Sequence, residues 1–289
     1  MKFDELKLSG VKLFEKDGQK YAEINQTGID AIYKIPTTKF SPKAKAVLMD
    51  LDGTTVKSEE FWIYLIEKTV QKIIGNTSFN FSDEDIPFVS GYSTLQHLKY
   101  CIDKYELKID VSDANKIYHA IAETELKEIL KGGGNINAFK PRDGLKDFLT
   151  QLKSDGIKIG LVSSGLEYKA IPEIVSAFRV LKMGNPLDFY DAVMLGGKRK
   201  IKGQYGTMGE TCAKPHPYIY YETGESLCRE REKVITIEDS SAGVISSIVA
   251  GYEVIGFRDG NIVSSHADSL CHKCVNDFSE IYETIAKSF

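Results

Sequence analysis

Apolar positions along this chain fall into two regimes. Near residues 11–24, the runs Val11-Lys12-Leu13-Phe14 and Tyr21-Ala22-Glu23-Ile24 flank an Asp17-Gly18 turn signal, which predicts a β-hairpin. From Glu59 to about Leu130 the spacing turns helical. Phe61, Trp62, Leu65, Ile66, Val70, Ile73 and Ile74 share one face, and helical patterns resume over 94–105 and 113–130. After Gly132-Gly133-Gly134, short apolar runs alternate with helices: strands at 157–162, 192–195, 234–237 and 253–257, and helices at 144–154, 166–178, 217–231 and 242–250. Buried strands alternating with helices predict an α/β fold, a doubly wound, Rossmann-like parallel sheet covered on both faces. The helical block interrupting it predicts a helical insert. The expected divisions are an N-terminal extension with its hairpin over 1–43, an α/β core over 44–58 and 140–289, and a helical domain inserted over 59–139.

The strand that opens the core ends unusually. Ala44 to Met49 is apolar and runs into Asp50-Leu51-Asp52-Gly53-Thr54. Alternation puts Asp50 and Asp52 on one side of the chain, and two carboxylates this close are costly unless a cation or donors offset their repulsion. Three further segments lie at strand ends or helix starts. Val162-Ser163-Ser164-Gly165 offers a hydroxyl and free amides to an anion. Lys214-Pro215-His216-Pro217 brings a lysine to a helix start, and Ile237-Glu238-Asp239-Ser240 brings two acids to the end of an apolar strand. Ligands of such sheets bind beyond the carboxyl ends of the strands, where Asp50, Ser163 and Asp239 are expected. A magnesium site explains two acids there beside Asp50 and Asp52 better than helix capping does.

Taken in order, these segments resemble the four signatures of the haloacid dehalogenase superfamily, and the resemblance spans roughly residues 44–280. The helical insert, and Pro141-Arg142-Asp143-Gly144 after it, are similar to the cap of the β-phosphoglucomutase-like branch. The resemblance implies a mechanism. Asp50 attacks phosphorus, Asp52 serves as acid and base, Thr54 positions them, and Lys214 balances charge. Ser163, Ser164 and Gly165 hold the phosphate with Thr54 and Lys214. Asp50, Asp52 (through its carbonyl) and Asp239 hold Mg²⁺, with Glu238 as a supporting or alternate ligand. Dehalogenases of the superfamily lack the second aspartate, so Asp52 argues for phosphoryl transfer.

The expectation is therefore a Mg²⁺-dependent phosphatase of small phosphate monoesters. A β-phosphoglucomutase-type mutase and a non-enzymatic regulatory or scaffold domain are the alternatives. Residues 88–94 of the cap carry no lysine or arginine, and Phe61 and Trp62 stand where mutases tend to place a histidine. Both features favour hydrolysis. A pocket wall of Phe61, Trp62 and Tyr92 suits an uncharged leaving group, with Trp62 and Tyr92 the substrate-contacting candidates. A phosphonate hydrolase would need a Schiff-base lysine, for which Lys57 and Lys68 are weak candidates.

Composition narrows the partners. Over 289 residues the formal net charge is −4, without a concentrated basic face, which argues against nucleic acid. The glycine-rich basic stretch 196–206 reads as an exposed hairpin or loop. No apolar run is long enough to span a bilayer and no export signal opens the chain, so no membrane partner and a cytoplasmic location are expected. Five scattered cysteines fit a reducing compartment. Cys271-His272-Lys273-Cys274 has half-zinc-site spacing, completed only if Cys212 and His216 came near, and it reads better as thiols in a loop before a final strand. The partner expected is a small phosphorylated substrate. Oligomeric state stays open, with the hairpin a candidate for pairing across a homodimer.

Overall fold

The fold is described from a computed structural model covering residues 6–26, 29–82, 85, 94–135, 137–196, 198–201 and 213–286. Its centre is a seven-stranded sheet. Strand β4 (Ala46–Asp50) lies between β7 (Lys158–Ser163) and β10 (Val234–Glu238), with all five of its residues buried. Outward on one side follows β8 (Ala192–Leu195), and on the other β11 (Glu253–Phe257) and β12 (Lys273–Val275). These six strands are parallel, as the alternation of apolar runs and helices requires. An antiparallel edge strand, β9 (Lys198–Ile201), closes the sheet and takes up part of the basic stretch, Leu195 standing opposite Lys198.

The period of two along β4 builds two cores. Val47 and Met49 pack with helices α4 (Leu145–Ser154), α5 (Glu167–Leu181), the short α6 (Pro186–Phe189) and α9 (Phe278–Ala286). Ala46 and Leu48 face Ile219, Tyr220 and Leu227 of α7 (Tyr218–Leu227). Helix α8 (Ser241–Ala250) has Ser240 as its N-cap, the hydroxyl accepting from Gly243 N–H at 3.1 Å.

The chain leaves the core after Asp50 and returns through a two-stranded ribbon, β5 (Val56–Lys57) against β6 (Lys140–Pro141). Between these strands lie helices α1 (Glu59–Ile74), α2 (Thr94–Lys104) and α3 (Val111–Lys131). Glycines in the left-handed conformation end α1 and α3, and the Asp110 carboxylate caps α3 by accepting from Ser112 N–H at 2.7 Å.

The N-terminal strands β1 (Val11–Lys16) and β2 (Gln19–Gln26) pair through Asp17-Gly18, both with positive φ as a tight hairpin turn requires. A third strand, β3 (Ile29–Lys34), extends the sheet. Its own alternation is too short to stand out in the sequence. The inner face of this sheet, Leu13, Ala22 and Ile24, packs on Ile245 and Val249 of α8. Tyr33 also reaches the core: its hydroxyl lies 2.8 Å from Nδ1 of the fully buried His216. His216 is thus a packed loop residue, and no metal-ligand cluster forms around it among the described residues. Cys274 lies inside β12 rather than in a loop before it.

Candidate active site

Three neighbouring strands end at one place. Asp50, Ser163 and Glu238 are the last residues of β4, β7 and β10, and chain order reverses across them, which opens a crevice beyond their carboxyl ends. Asp50 is 6 % exposed and Glu238 fully buried. One cation stands between them: Lys214 Nζ pairs with Asp50 Oδ1 and lies 2.6 Å from Glu238 Oε1. Burial alone would lower the lysine's pKa, but the two carboxylates more than offset it and hold it above its ordinary value. Burial pushes Asp50 well above the usual carboxylate range. Lys214 opposes that push, while Glu238, Asp239 and Asp52 add to it.

The rest of Glu238 is occupied. Oε1 also accepts from the Tyr220 hydroxyl at 2.5 Å, and Oε2 accepts from Ser240 Oγ at 3.0 Å and Asp239 N–H at 3.2 Å. Asp239 follows it into the crevice. Burial, with Glu238 next, raises Asp239 to about 7. Oxygens of Asp50, Glu238 and Asp239 come within 4.8 Å of one another, a spacing suited to a cation.

The turn after β4 is shaped around this group. Gly53 has φ +81°, and a Cβ there would overlap the Asp239 carboxylate. Thr54, fully buried, donates to Asp239 Oδ1 at 3.3 Å. Asp52 turns away from the cluster and accepts from Ser58 Oγ at 2.8 Å. Ser163 Oγ accepts from Gly165 N–H at 2.9 Å, and Ser164 Oγ from Lys214 N–H at 3.1 Å, which ties the β7 loop to the lysine's loop. Asp50, Asp52, Thr54, Ser163, Ser164, Gly165, Lys214, Glu238 and Asp239 therefore gather at one end of the sheet.

A cavity of about 950 Å³ opens over them, between the core and α1–α3. Trp62 lines it together with Asp52, Tyr118, Lys169, Glu173 and Asp239. Phe61 does not; it is 2 % exposed and packs against Phe139 with the rings tilted by 60° and their centroids 4.7 Å apart. Tyr92 lies outside the described residues.

Several site residues escaped the sequence. Arg142, 7 % exposed, donates from Nε to the carbonyls of Gly53 and Thr54, at 3.1 Å each, and pairs with Asp259 at 2.9 Å, its guanidinium stacked 3.9 Å from the Phe257 ring centroid. It clamps the aspartate turn to the loop after β11. The Pro-Arg-Asp-Gly run was a visible signal, but for chain return rather than for this clamp. Arg142→Met is expected to lower stability by about 3 kcal/mol, since it strips the carbonyls of Gly53 and Thr54 of their donor. Chemical denaturation measures the loss. Glu173 of α5 is fully buried and neither oxygen has a hydrogen-bond partner; burial first, then the Asp52 charge, hold it well above the ordinary carboxylate range.

Residues 44–251 match the family of haloacid dehalogenase-like hydrolases. The chain is 27% identical over 217 residues to a protein of Caldanaerobacter subterraneus subsp. tengcongensis provisionally named pyrophosphatase PpaX, covering 75% of this chain and 82% of that one. It is 24% identical over 211 residues to the phosphorylated carbohydrates phosphatase of Thermotoga maritima, covering 73% and 83%. The fold also matches a crystal structure from Haemophilus somnus, assigned by prediction as a phosphoglycolate phosphatase, with TM-score 0.63 and 15% identity over 84% of this chain and 98% of that one. No described helix is long and apolar enough to cross a membrane. With a matched span covering most of the chain, and a buried Asp–Lys–Glu group at the switch point of its parallel sheet, the protein belongs to the haloacid dehalogenase-like hydrolases, as a phosphohydrolase with phosphatase relatives.

Proposed function

We propose that the chain is a Mg²⁺-dependent phosphatase acting on small phosphate monoesters, among them sugar and alcohol phosphates. One observation carries this reading. Lys214 bridges the buried carboxylates of Asp50 and Glu238, while Asp52, two residues on, faces the cavity. A buried nucleophile beside a cation, with an acid/base above it, is what an in-line attack on a phosphate ester needs.

The donor set fits a hard divalent ion. Carboxylate oxygens of Asp50 and Asp239 stand close together, and Gly53 keeps the space beside Asp239 clear. These two side chains and the Asp52 carbonyl would hold Mg²⁺. Glu238, its oxygens engaged by Lys214, Tyr220 and Ser240, would serve as their anchor. Bound there, Mg²⁺ would offset the repulsion between an anionic nucleophile and an anionic ester.

The chain's own residues do the rest. An Asp50 oxygen forms a bond to phosphorus as the ester P–O bond breaks, and Asp52 gives its proton to the departing oxygen. Asp52 then takes a proton from water as that water attacks the aspartyl-phosphate, which frees Asp50 and inorganic phosphate. Ser163, Ser164, Gly165 and Thr54 line the phosphate's place, and the Gly165 amide, which donates to Ser163 Oγ, would exchange that acceptor for a phosphate oxygen. The helices at 59–139 act as a cap that excludes water during the first step.

Phosphate release from p-nitrophenyl phosphate tests the reading. Turnover with Mg²⁺ that EDTA abolishes supports it, and no turnover across a broad panel of phosphate esters refutes it. Isomerised ester in place of free phosphate, on a sugar phosphate, marks the mutase alternative.

Acid linkage offers an independent check. Asp239 titrates at about 7 in the folded protein against an ordinary 3.8, so the metal-free fold must lose that proton against resistance. Its stabilising share is complete below about pH 4 and is lost as pH rises through about 7. Mg²⁺ competes with the same proton. At a hundredfold excess over its dissociation constant at pH 8, it is expected to add about 2.7 kcal/mol, or roughly 5 °C or more in Tm, and clearly less at pH 5.5. Calorimetry at the two pH values measures the difference.

A further inference from the structure

Four cations border the cavity, of which two are paired with carboxylates and a third is exposed to solvent. Arg142 is paired with Asp259, Lys140 lies 3.0 Å from Glu60, and Lys57 is exposed at the rim on β5. The fourth, Lys169, is half-buried on the first turn of α5. Its Nζ sits 4.8 Å from the Trp62 ring centroid and 5.2 Å from that of Tyr118, with the Tyr118 hydroxyl at 3.5 Å. Among the described residues, no carboxylate oxygen lies within 4 Å of it. The two aromatic faces hold the ammonium in place electrostatically, yet they leave donor positions unfilled.

Its neighbourhood also sets which end of a substrate it meets. The charges acting on Lys169 are Asp52 and Glu173, whereas the balance at Asp50 is dominated by Lys214, Glu238 and Asp239. Lys169 is therefore on the Asp52 side of the cavity, where the departing alcohol would take its proton. A neutral alcohol enclosed there would leave a desolvated ammonium with no anion in direct contact, which is costly. An anionic substituent would complete it.

Resting on the phosphatase reading above, we infer that Lys169, held on Trp62 and Tyr118, is an anion subsite for the leaving group, so that favoured substrates are phosphate esters bearing a second anionic group, a carboxylate or another phosphate. This replaces the uncharged leaving group expected from Phe61, Trp62 and Tyr92. One of those rings is packed away, and another carries the cation.

Matched esters at two chain lengths provide the test. Glycerol 3-phosphate and sorbitol 6-phosphate are the neutral members. Their carboxylate counterparts are 3-phosphoglycerate and 6-phosphogluconate, and their phosphate counterparts are glycerol 1,3-bisphosphate and sorbitol 1,6-bisphosphate. The wild-type protein is expected to favour an anionic member in kcat/KM by at least about tenfold at one length or both. Whichever anion is favoured identifies the source. Lys169→Met should shrink that ratio at least about tenfold, whatever it does to the neutral ester, and Lys169→Arg should keep most of it. A wild-type protein without preference overturns the inference. So does a Lys169→Met variant that slows all esters in equal proportion, which would make the lysine a support for Asp52 only. If p-nitrophenyl phosphate is hydrolysed and the anionic esters are not favoured, the subsite fails and the phosphatase reading stands. If no ester is hydrolysed, both fail.

Discussion

Asp50→Asn is expected to remove phosphatase turnover by at least about 10⁴-fold without unfolding the protein. The substitution keeps the shape of the side chain and exchanges a carboxylate for an amide, whose oxygen is a poor nucleophile toward phosphorus. Folding has little reason to suffer. Asp50 is one of three carboxylates crowded at a buried strand end, and burial already holds it well above the usual carboxylate range. Removing its charge relieves Glu238 and Asp239, so the variant's Tm without metal should match or exceed the wild type's. The gain in Tm from Mg²⁺ should shrink, because an anionic ligand has gone. Phosphate-release kinetics and calorimetry separate these effects. Lost activity with a full Mg²⁺ response would mean that Asp50 is not part of the metal's donor set.

Lys214→Ala should cost both activity and stability. In the folded protein this ammonium, 7 % exposed, is the shared cation for Asp50 and Glu238. Truncating it leaves two desolvated carboxylates facing each other, a loss of about 3–5 kcal/mol. Part of the loss is recoverable by acid, since protonating Asp50, whose folded pKa is already raised, removes the unbalanced charge. The difference in stability from wild type should therefore be larger at pH 8 than at pH 5, the sign expected for a group whose folded pKa is raised. Turnover should fall on the order of 10³-fold, as a charge facing the reacting phosphate is lost. Equal destabilisation at the two pH values would show that packing of the lysine stem, and not its charge, is what the fold uses.

Much of this architecture was legible in the order of residues. Alternating short apolar runs and helices implied the parallel sheet, and Asp50, Ser163 and Asp239 just beyond strand ends implied where a site had to lie. Asp50, Glu238 and Asp239 stood out because buried charge at a strand end is expensive, and Lys214 as a natural counter-charge to them. Other parts were hidden for physical reasons. Lys169 and Glu173 are four residues apart on a helix, which in sequence looks like a solvated ion pair. The fold instead turns both into the cavity and leaves them unpaired. Arg142 and Tyr220 act on Gly53, Thr54 and Glu238 across long sequence separations, so no local pattern announces them. The strands β3, β9 and β12 are short or polar edge strands, whose weak alternation is supplied by their neighbours' hydrogen bonds rather than by their own side chains.

The central claim is that phosphorus is carried by Asp50 and released through Asp52. Asp52→Ala, mixed with p-nitrophenyl phosphate and Mg²⁺ and quenched in acid within the first turnover, addresses it directly by peptide mass spectrometry. The departing p-nitrophenolate needs little protonation, so the first step should proceed and the second should stall. The expected result is a phosphate added at Asp50 in near-stoichiometric amount, with steady-state turnover at least about 100-fold below wild type. A phosphate on another residue, or wild-type turnover with no adduct, would contradict the account.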